Sequence, residues 1–319
     1  MTGERSERKM TVKNQASGHV MHTTHIRKDQ SLIVINVITY ILVTIFCIMC
    51  ILPFWMIIAS SFSSEEGIRR TGFTLWPSDV STYSYELLFR SPDQMVGAYV
   101  VTICLTALGT LIGLFLVSMT GYALQRKDFP YRNGIMFYIY FTSLFSAGLV
   151  PFYLLIVQIL NLRDSYFAIL LPLLMSPWLI VLMKNFVKAI PHEITESGKI
   201  DGAGDFKIFY ALILPNLKPA LATIGLFLAL SYWNEWYYSS LFLTTKVEYR
   251  PLQYHLYNVI NKVASLKNSV AGSNVVITDL PGETLKMATA VIATGPIILL
   301  YPFVQKYFVA GLTVGAVKG

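Results

Sequence analysis

The chain has 319 residues, 54% of them hydrophobic and only 13% charged, about half the usual quarter for a soluble domain, and its mean hydropathy is +0.54. A water-soluble fold would leave large apolar patches bare, and a disordered chain needs the opposite composition. Both are excluded, and the formal charge of +7 falls to the segments between apolar runs of an integral membrane protein, with lipid rather than nucleic acid as its surroundings.

Residues 1–30 are polar and hold no apolar stretch, so they read as a cytoplasmic N-terminal tail and not as a secretory leader. His19, His22 and His25 recur there every three residues; a solvated tail is expected, not a metal clip. An ionised side chain at bilayer centre costs about 2.5–3.5 kcal/mol, so runs free of Asp, Glu, Lys and Arg mark the spans. These are 31–64, 94–125, 133–162, 165–183, 219–245 (interrupted once, by Glu235) and 287–305. Each is close to or above the roughly 20 helical residues that cross about 30 Å of hydrocarbon, and none alternates as barrel strands do. The expected fold class is all-α, a six-helix membrane bundle. Its parts are a first transmembrane helix at 31–64, an external segment at 65–93, a five-helix domain at 94–305 and a cytoplasmic tail at 306–319.

Segments 1–30, 126–132, 184–218 and 306–319 carry 16 of the 25 Lys and Arg residues. The positive-inside rule therefore puts both termini in the cytoplasm. Cys47, Cys50 and Cys104 all lie in apolar runs and suggest no disulfide framework. Gly109, Gly113 and Gly121 suit close helix packing in the second span, and Pro172 and Pro177 predict a bend in the fourth. The link 161–164 is short enough to make spans three and four antiparallel neighbours. The external segment near 246–282 is long enough for a small helix over 252–263.

The stretch 191–215, on the cytoplasmic side between spans four and five, is the most informative. Pro191 can open a helix, Asp201-Gly202 can break it, Asp205 can cap a second short helix, and Pro215 cannot continue that one. Phe206, Ile208, Phe209, Leu212 and Ile213 give the second helix more apolar surface than a free loop needs. Lying on lipid and inserting into a partner both answer that. In span five, Trp233-Asn234-Glu235-Trp236 offers aromatic faces, an amide and a carboxylate suited to sugar rings and hydroxyls. Interfacial anchoring and helix packing explain the same residues, and this is the preferred reading. No phosphate loop of the G-x-x-x-x-G-K-[ST] form is present, so no ATP hydrolysis and no cofactor are expected in this chain. Paired carboxylates, a His-Glu-x-x-His run and a nucleophile elbow are also missing, which ranks an enzyme low. An ion-coupled secondary transporter is the alternative, and it needs intramembrane charges where only Glu235 is available.

The spacing Glu196-Ser197-Gly198, three residues, Gly202, nine residues, Leu212, one residue, Leu214-Pro215 resembles the hallmark of membrane subunits of bacterial ABC importers. Ser197 and Gly198 stand for that pattern's alanine pair and Leu212 for its isoleucine. Ile200-Asp201-Gly202-Ala203, Trp233-Asn234-Glu235-Trp236, Pro251-Leu252-Gln253 and the C-terminal sequence from Tyr301 are similar to the carbohydrate-uptake class, the second membrane subunit of maltose-transporter-like systems. The resemblance runs from about residue 30 to the end. It implies the type I permease fold in a bacterial plasma membrane. It implies as partners a homologous second permease, a dimer of ATP-binding cassette subunits, an extracytoplasmic solute-binding protein and a sugar, in particular an oligosaccharide. It also implies that 191–215 is the coupling segment. Glu196 would make a charged contact, Gly202 the close bend with Asp201 and Ala203 beside it, and the Phe206–Leu214 face, Phe209 included, would fill the ATPase cleft. Trp233, Asn234 and Glu235 are candidates for the translocation path, and the tail from Thr313 for docking on the ATPase.

Overall fold

The computed structural model describes residues 30–244, 247–271 and 281–316, so the three N-terminal histidines and the last three residues of the C-terminal tail lie outside the described residues. Two units are distinguished, 1–54 and 55–319. Apolar residues on every side of the chain build helix α1 (Gln30–Ser61), and its described side chains in the first unit, from Ile33 to Phe54, are exposed. Uniform apolarity with no buried stripe is the signature of a helix that faces lipid.

The second unit is organised by α4 (Pro92–Gln125), a 34-residue helix opened by Ser91 and by Pro92 in its first turn. Before it come two short helices, α2 (Glu65–Thr71) and α3 (Tyr83–Leu88), joined by an isolated antiparallel bridge between Ser63 and Val80. In lipid the hydrophobic effect does not draw helices together, so close approach has to come from small residues. A Cβ on Gly109 would lie 2.3 Å from the Tyr232 ring, one on Gly113 2.9 Å from the Leu174 carbonyl, and one on Gly121 2.7 Å from Met183 Cγ. The glycines thus seat two partners along α4. They are α11 (Lys218–Trp233) and the bent pair α7 (Phe167–Leu173) with α8 (Pro177–Lys188). The bend between α7 and α8 is 44°, at the place Pro177 predicts.

Span three differs from its expectation. The run 133–162 is not one helix but α5 (Arg132–Leu144) and α6 (Leu149–Ile159), at 115° to each other. The break falls at Ser146-Ala147-Gly148, where Gly148 takes φ +89°, a backbone state that other residues rarely adopt. Span five ends at Trp233, and the chain resumes as α12 (Tyr237–Phe242). Helix α13 (Leu252–Ala271) is two turns longer than the expected 252–263. The sixth apolar run lies in α14 (Glu283–Ala316), which carries Pro296 and Pro302 and continues past residue 305. Among the described residues, α1 and α4 are each long and apolar enough to cross a membrane alone, three bent pairs of helices have the length and composition to do so together, and α14 holds the sixth run. Cys47, Cys50 and Cys104 are exposed free thiols.

The start of α14 is held by a residue far away in sequence. The Glu65 carboxylate accepts hydrogen bonds from the backbone N–H groups of Gly282 (2.7 Å), Glu283 (3.0 Å) and Thr284 (3.2 Å). A carboxylate at a helix N-terminus satisfies otherwise orphaned donors and complements the helix dipole.

The seam makes a prediction. Gly109→Ala drives a methyl group into a fully packed ring and is expected to destabilise the chain by about 1–3 kcal/mol. Gly134→Ala, where an added Cβ meets nothing within 4 Å, is expected to be neutral or slightly stabilising. Thermal unfolding midpoints of the two variants in one detergent check the contrast.

Candidate functional site

The elbow between α8 and α11 is built from two short helices. The first, α9 (Glu193–Ile200), has Glu193 and Glu196 in its first turn and Lys199 in its last, the charge order that suits the helix dipole. Its end is a Schellman-type stop: Gly202 takes φ +72°, its N–H bonds Lys199 O at 3.0 Å, and Ala203 N–H bonds Gly198 O at 2.9 Å. The second helix, α10 (Asp205–Asn216), departs from expectation at both ends. Asp205 is the first helical residue and makes no capping bond, because Gly204 holds the cap position. Pro215 lies inside the last turn. The turns before it, Ile208–Ile213, are π-helical, and such a widened turn accommodates the ring and missing N–H of a proline. The Leu212 carbonyl is taken by Asn216 Nδ2 at 2.6 Å. The chain then turns by 86° into the helices that follow.

Burial separates the two faces of the elbow. Thr195 and Gly198 of α9 and Ile208, Phe209 and Ile213 of α10 join the core formed by α4, α8 and α11. Phe209 packs on Tyr122 (5.5 Å between ring centroids) and Phe115 (6.2 Å). The expectation that Phe209 enters a partner's cleft is therefore corrected: its ring fastens the elbow to α4. Leu212 and Leu214 are half-buried against the same core. The outward face carries Ile200 (86% exposed), Phe206 (63%) and Tyr210 (63%), with Glu196, Ser197, Asp201, Gly202 and Pro215 around them, also exposed. Tyr210 was not singled out from sequence, where only exposure could have marked it. A Cβ on Gly198 would lie 2.8 Å from Leu212 Cδ1, so two of the departures from the importer pattern touch each other.

Charge fastens what packing starts. Arg126, just past α4, reaches Asp128 through Nε (2.8 Å) and Asp205 through Nη1 (2.5 Å), and Lys199 Nζ reaches Asp128 at 2.7 Å. Hydrogen bonds from Arg126 and then Lys199 hold the Asp128 carboxyl well below the usual carboxylate range. The same bonds with Asp128 push the Arg126 guanidinium above its ordinary value. This four-residue network ties the turn after α4 to both elbow helices. No spacing rule relates residues 126–128 to 199–205, so sequence reasoning missed it.

In span five the motif resolves into structural roles. Trp233 is buried and donates its Nε1–H to the Ala293 carbonyl at 3.0 Å. Glu235 is buried and accepts from the N–H of Tyr238 (2.5 Å) and from the N–H (3.2 Å) and Oγ (2.5 Å) of Ser239, which places its carboxylate on the N-terminus of α12. Asn234 is exposed, and its Oδ1 meets Gln253 Nε2 at 3.3 Å. Trp233 and Glu235 are thus both engaged within the chain itself.

The family described as binding-protein-dependent transport system inner membrane component matches residues 109–314. The polygalacturonan/rhamnogalacturonan transport system permease protein YtcP of Bacillus subtilis (strain 168) is 37% identical over 286 residues, covering 89% of this chain and 98% of that protein. The trehalose/maltose transport system permease protein MalG of Thermococcus litoralis is 28% identical over 280 residues, 85% of this chain and 93% of that one. Among solved structures, a bacterial ABC transporter involved in the import of the acidic polysaccharide alginate contains a chain that matches with TM-score 0.72 and 30% identity. That match covers 88% of this chain and 98% of the other.

Two outcomes test the geometry. Gly198→Ala gains helix propensity but presses on Leu212, so Gly198→Ala with Leu212→Ile is expected to be more stable than the two single effects sum to, by about 0.5–1 kcal/mol in a double-mutant cycle. Asp128, with a native pKa below its unfolded value, contributes its full stabilisation above the unfolded carboxylate range near pH 4. That contribution fades only as pH falls through the lowered native value. The elbow's resistance to limited proteolysis is expected to be constant from pH 5 to 8 and to weaken with salt, since the network is partly exposed.

Proposed function

The chain belongs to the family of binding-protein-dependent transport system inner membrane components, and on that premise we propose that it is a membrane-spanning permease subunit of an ATP-driven importer for sugar, specifically an oligosaccharide. The observation that carries this reading is the elbow: two short helices fastened inward by Phe209 and the Arg126 network, with Ile200, Phe206 and Tyr210 turned outward. An exposed apolar cluster beside acidic Glu196 and Asp201 suits a protein cleft better than water. The names of the relatives, which concern polygalacturonan/rhamnogalacturonan, trehalose and maltose, support the substrate class.

The chain carries no phosphate loop, so the energy comes from a separate ATPase dimer. A homologous permease and an extracytoplasmic solute-binding protein complete the assembly, and both termini face the cytoplasm of a bacterial plasma membrane. When the ATPase dimer closes, it pushes on the outward face of the elbow. The inward face passes that displacement to α4, α8 and α11, because packed cores shift as bodies and do not flex continuously. A loosely hung loop could not do this, since coupling needs contacts that differ between two states. Glu196, Ser197, Gly198, Asp201, Gly202, Ala203 and Phe206 form the contact region, with Leu212, Leu214 and Pro215 holding its angle. For the rival ion-coupled transporter, the carboxylate it requires, Glu235, is already engaged by Tyr238 and Ser239.

Gly202 provides the sharpest test. An added Cβ there meets nothing within 4 Å in its own chain, and Asp is among the few residues that tolerate a left-handed conformation. Gly202→Asp is therefore expected to insert and fold, yet to lose uptake when reconstituted with the ATPase and binding protein. Phe206→Ala is expected to lose most of it. Normal uptake by Gly202→Asp, or solute accumulation by this chain alone without nucleotide, overturns the reading.

A further inference from the structure

A cavity of about 500 Å³ opens beside the elbow, between the end of α4, the end of α8 and the start of α9, within the size range of small-ligand sites. Four fixed cations line it, Arg126, Lys127, Lys188 and Lys199, against two carboxylates, Asp128 and Glu193. Arg126 and Lys199 are balanced by Asp128 and by Asp205 just outside. Glu193 sits in the first turn of α9, where the helix N-terminus favours it. With Asp205 counted the cavity keeps a net positive charge, and Lys127 and Lys188 are its cations that make no ion pair among the described residues. Lys188 is the last residue of α8 and Lys127 lies two positions past the end of α4, which puts both at the ends of apolar helices, where a bilayer presents its headgroups.

A second observation is independent of charge. Tyr122 lines the same cavity and is 6% exposed. Its hydroxyl has no hydrogen-bond partner among the described residues, although a buried hydroxyl without a partner is costly. The cavity thus holds a buried donor without an acceptor and two cations without an ion-pair partner among the described residues. A bound oxyanion satisfies all three.

We propose that this cavity binds the phosphate of an anionic phospholipid headgroup, with Lys127 and Lys188 as its counter-ions and the Tyr122 hydroxyl as a hydrogen-bond donor. Basic pockets between helices at the cytoplasmic face are where anionic headgroups are held. Bound there, the lipid bridges the ends of α4 and α8 next to the Arg126 network and stiffens the seat of the elbow. The inference goes beyond the transport reading and needs neither the sugar nor the ATPase to be true.

The test is native mass spectrometry of the detergent-solubilised full chain titrated with phosphatidylglycerol or phosphatidylcholine. The wild type is expected to retain phosphatidylglycerol selectively. Each lysine near a headgroup contributes about a fivefold preference, so Lys127→Gln with Lys188→Gln is expected to lower retention on the order of twentyfold. Lys127→Arg with Lys188→Arg should restore it. Tyr122→Phe should lower retention severalfold without lowering the melting temperature, since it removes an unpartnered hydroxyl. Equal retention of the two lipids, or unchanged retention in the double glutamine variant with its melting temperature intact, overturns the proposal. Displacement of phosphatidylglycerol by inorganic phosphate at low excess also overturns it, in favour of a soluble anion. If the glutamine variant misfolds, Tyr122→Phe and the arginine pair decide the question alone.

Discussion

Everything the elbow does depends on Phe209, Ile208 and Ile213 being inside the subunit's own core. Fully burying each such side chain contributes about 1.5–3 kcal/mol. Here the burial joins α10 to α4, α8 and α11 at one place. The result is an elbow whose inner half belongs to the bundle and whose outer half is exposed. The ionic network adds direction more than strength: exposed pairs contribute little individually, but Arg126 reaches Asp205 and Lys199 reaches Asp128 from different sides of the turn, which fixes the angle of the elbow on α4.

The bundle itself is held by shape. With lipid as apolar as leucine, helices associate where backbones can approach, and α4 supplies that through Gly109, Gly113 and Gly121. The broken spans follow from the same solvent. Irregular backbone at membrane depth is tolerated only where protein or a wet cavity covers it, and the break at 145–148 is exposed in this chain.

Glu65 and Glu235 show why charge in an apolar neighbourhood is ambiguous in sequence. Each is a carboxylate whose oxygens sit on the backbone donors of a helix start, α14 and α12 respectively. Orphan donors exist at every helix N-terminus, and in low dielectric an acceptor there is strongly favoured. A carboxylate placed so has a structural duty and little left to offer a substrate. Tyr122 is the converse case: an ordinary aromatic position by sequence, left with a free hydroxyl by the fold.

The sequence by itself determined the number and placement of apolar runs, the bend marked by Pro177, the glycine seam, and the elbow with its left-handed Gly202. All of these are local properties: span length, the missing proline N–H and the freedom of a residue without Cβ act within a few positions of the chain. Only the tertiary structure decided that run 133–162 breaks by 115°, that Asp205 pairs with Arg126 and caps nothing, that Phe209 faces inward while Ile200 and Tyr210 face out, and that Trp233 and Glu235 are committed to packing. Asp205 meets Arg126, Phe209 meets Tyr122 and Trp233 meets Ala293, and apolar periodicity carries no information about partners 60 or more positions away.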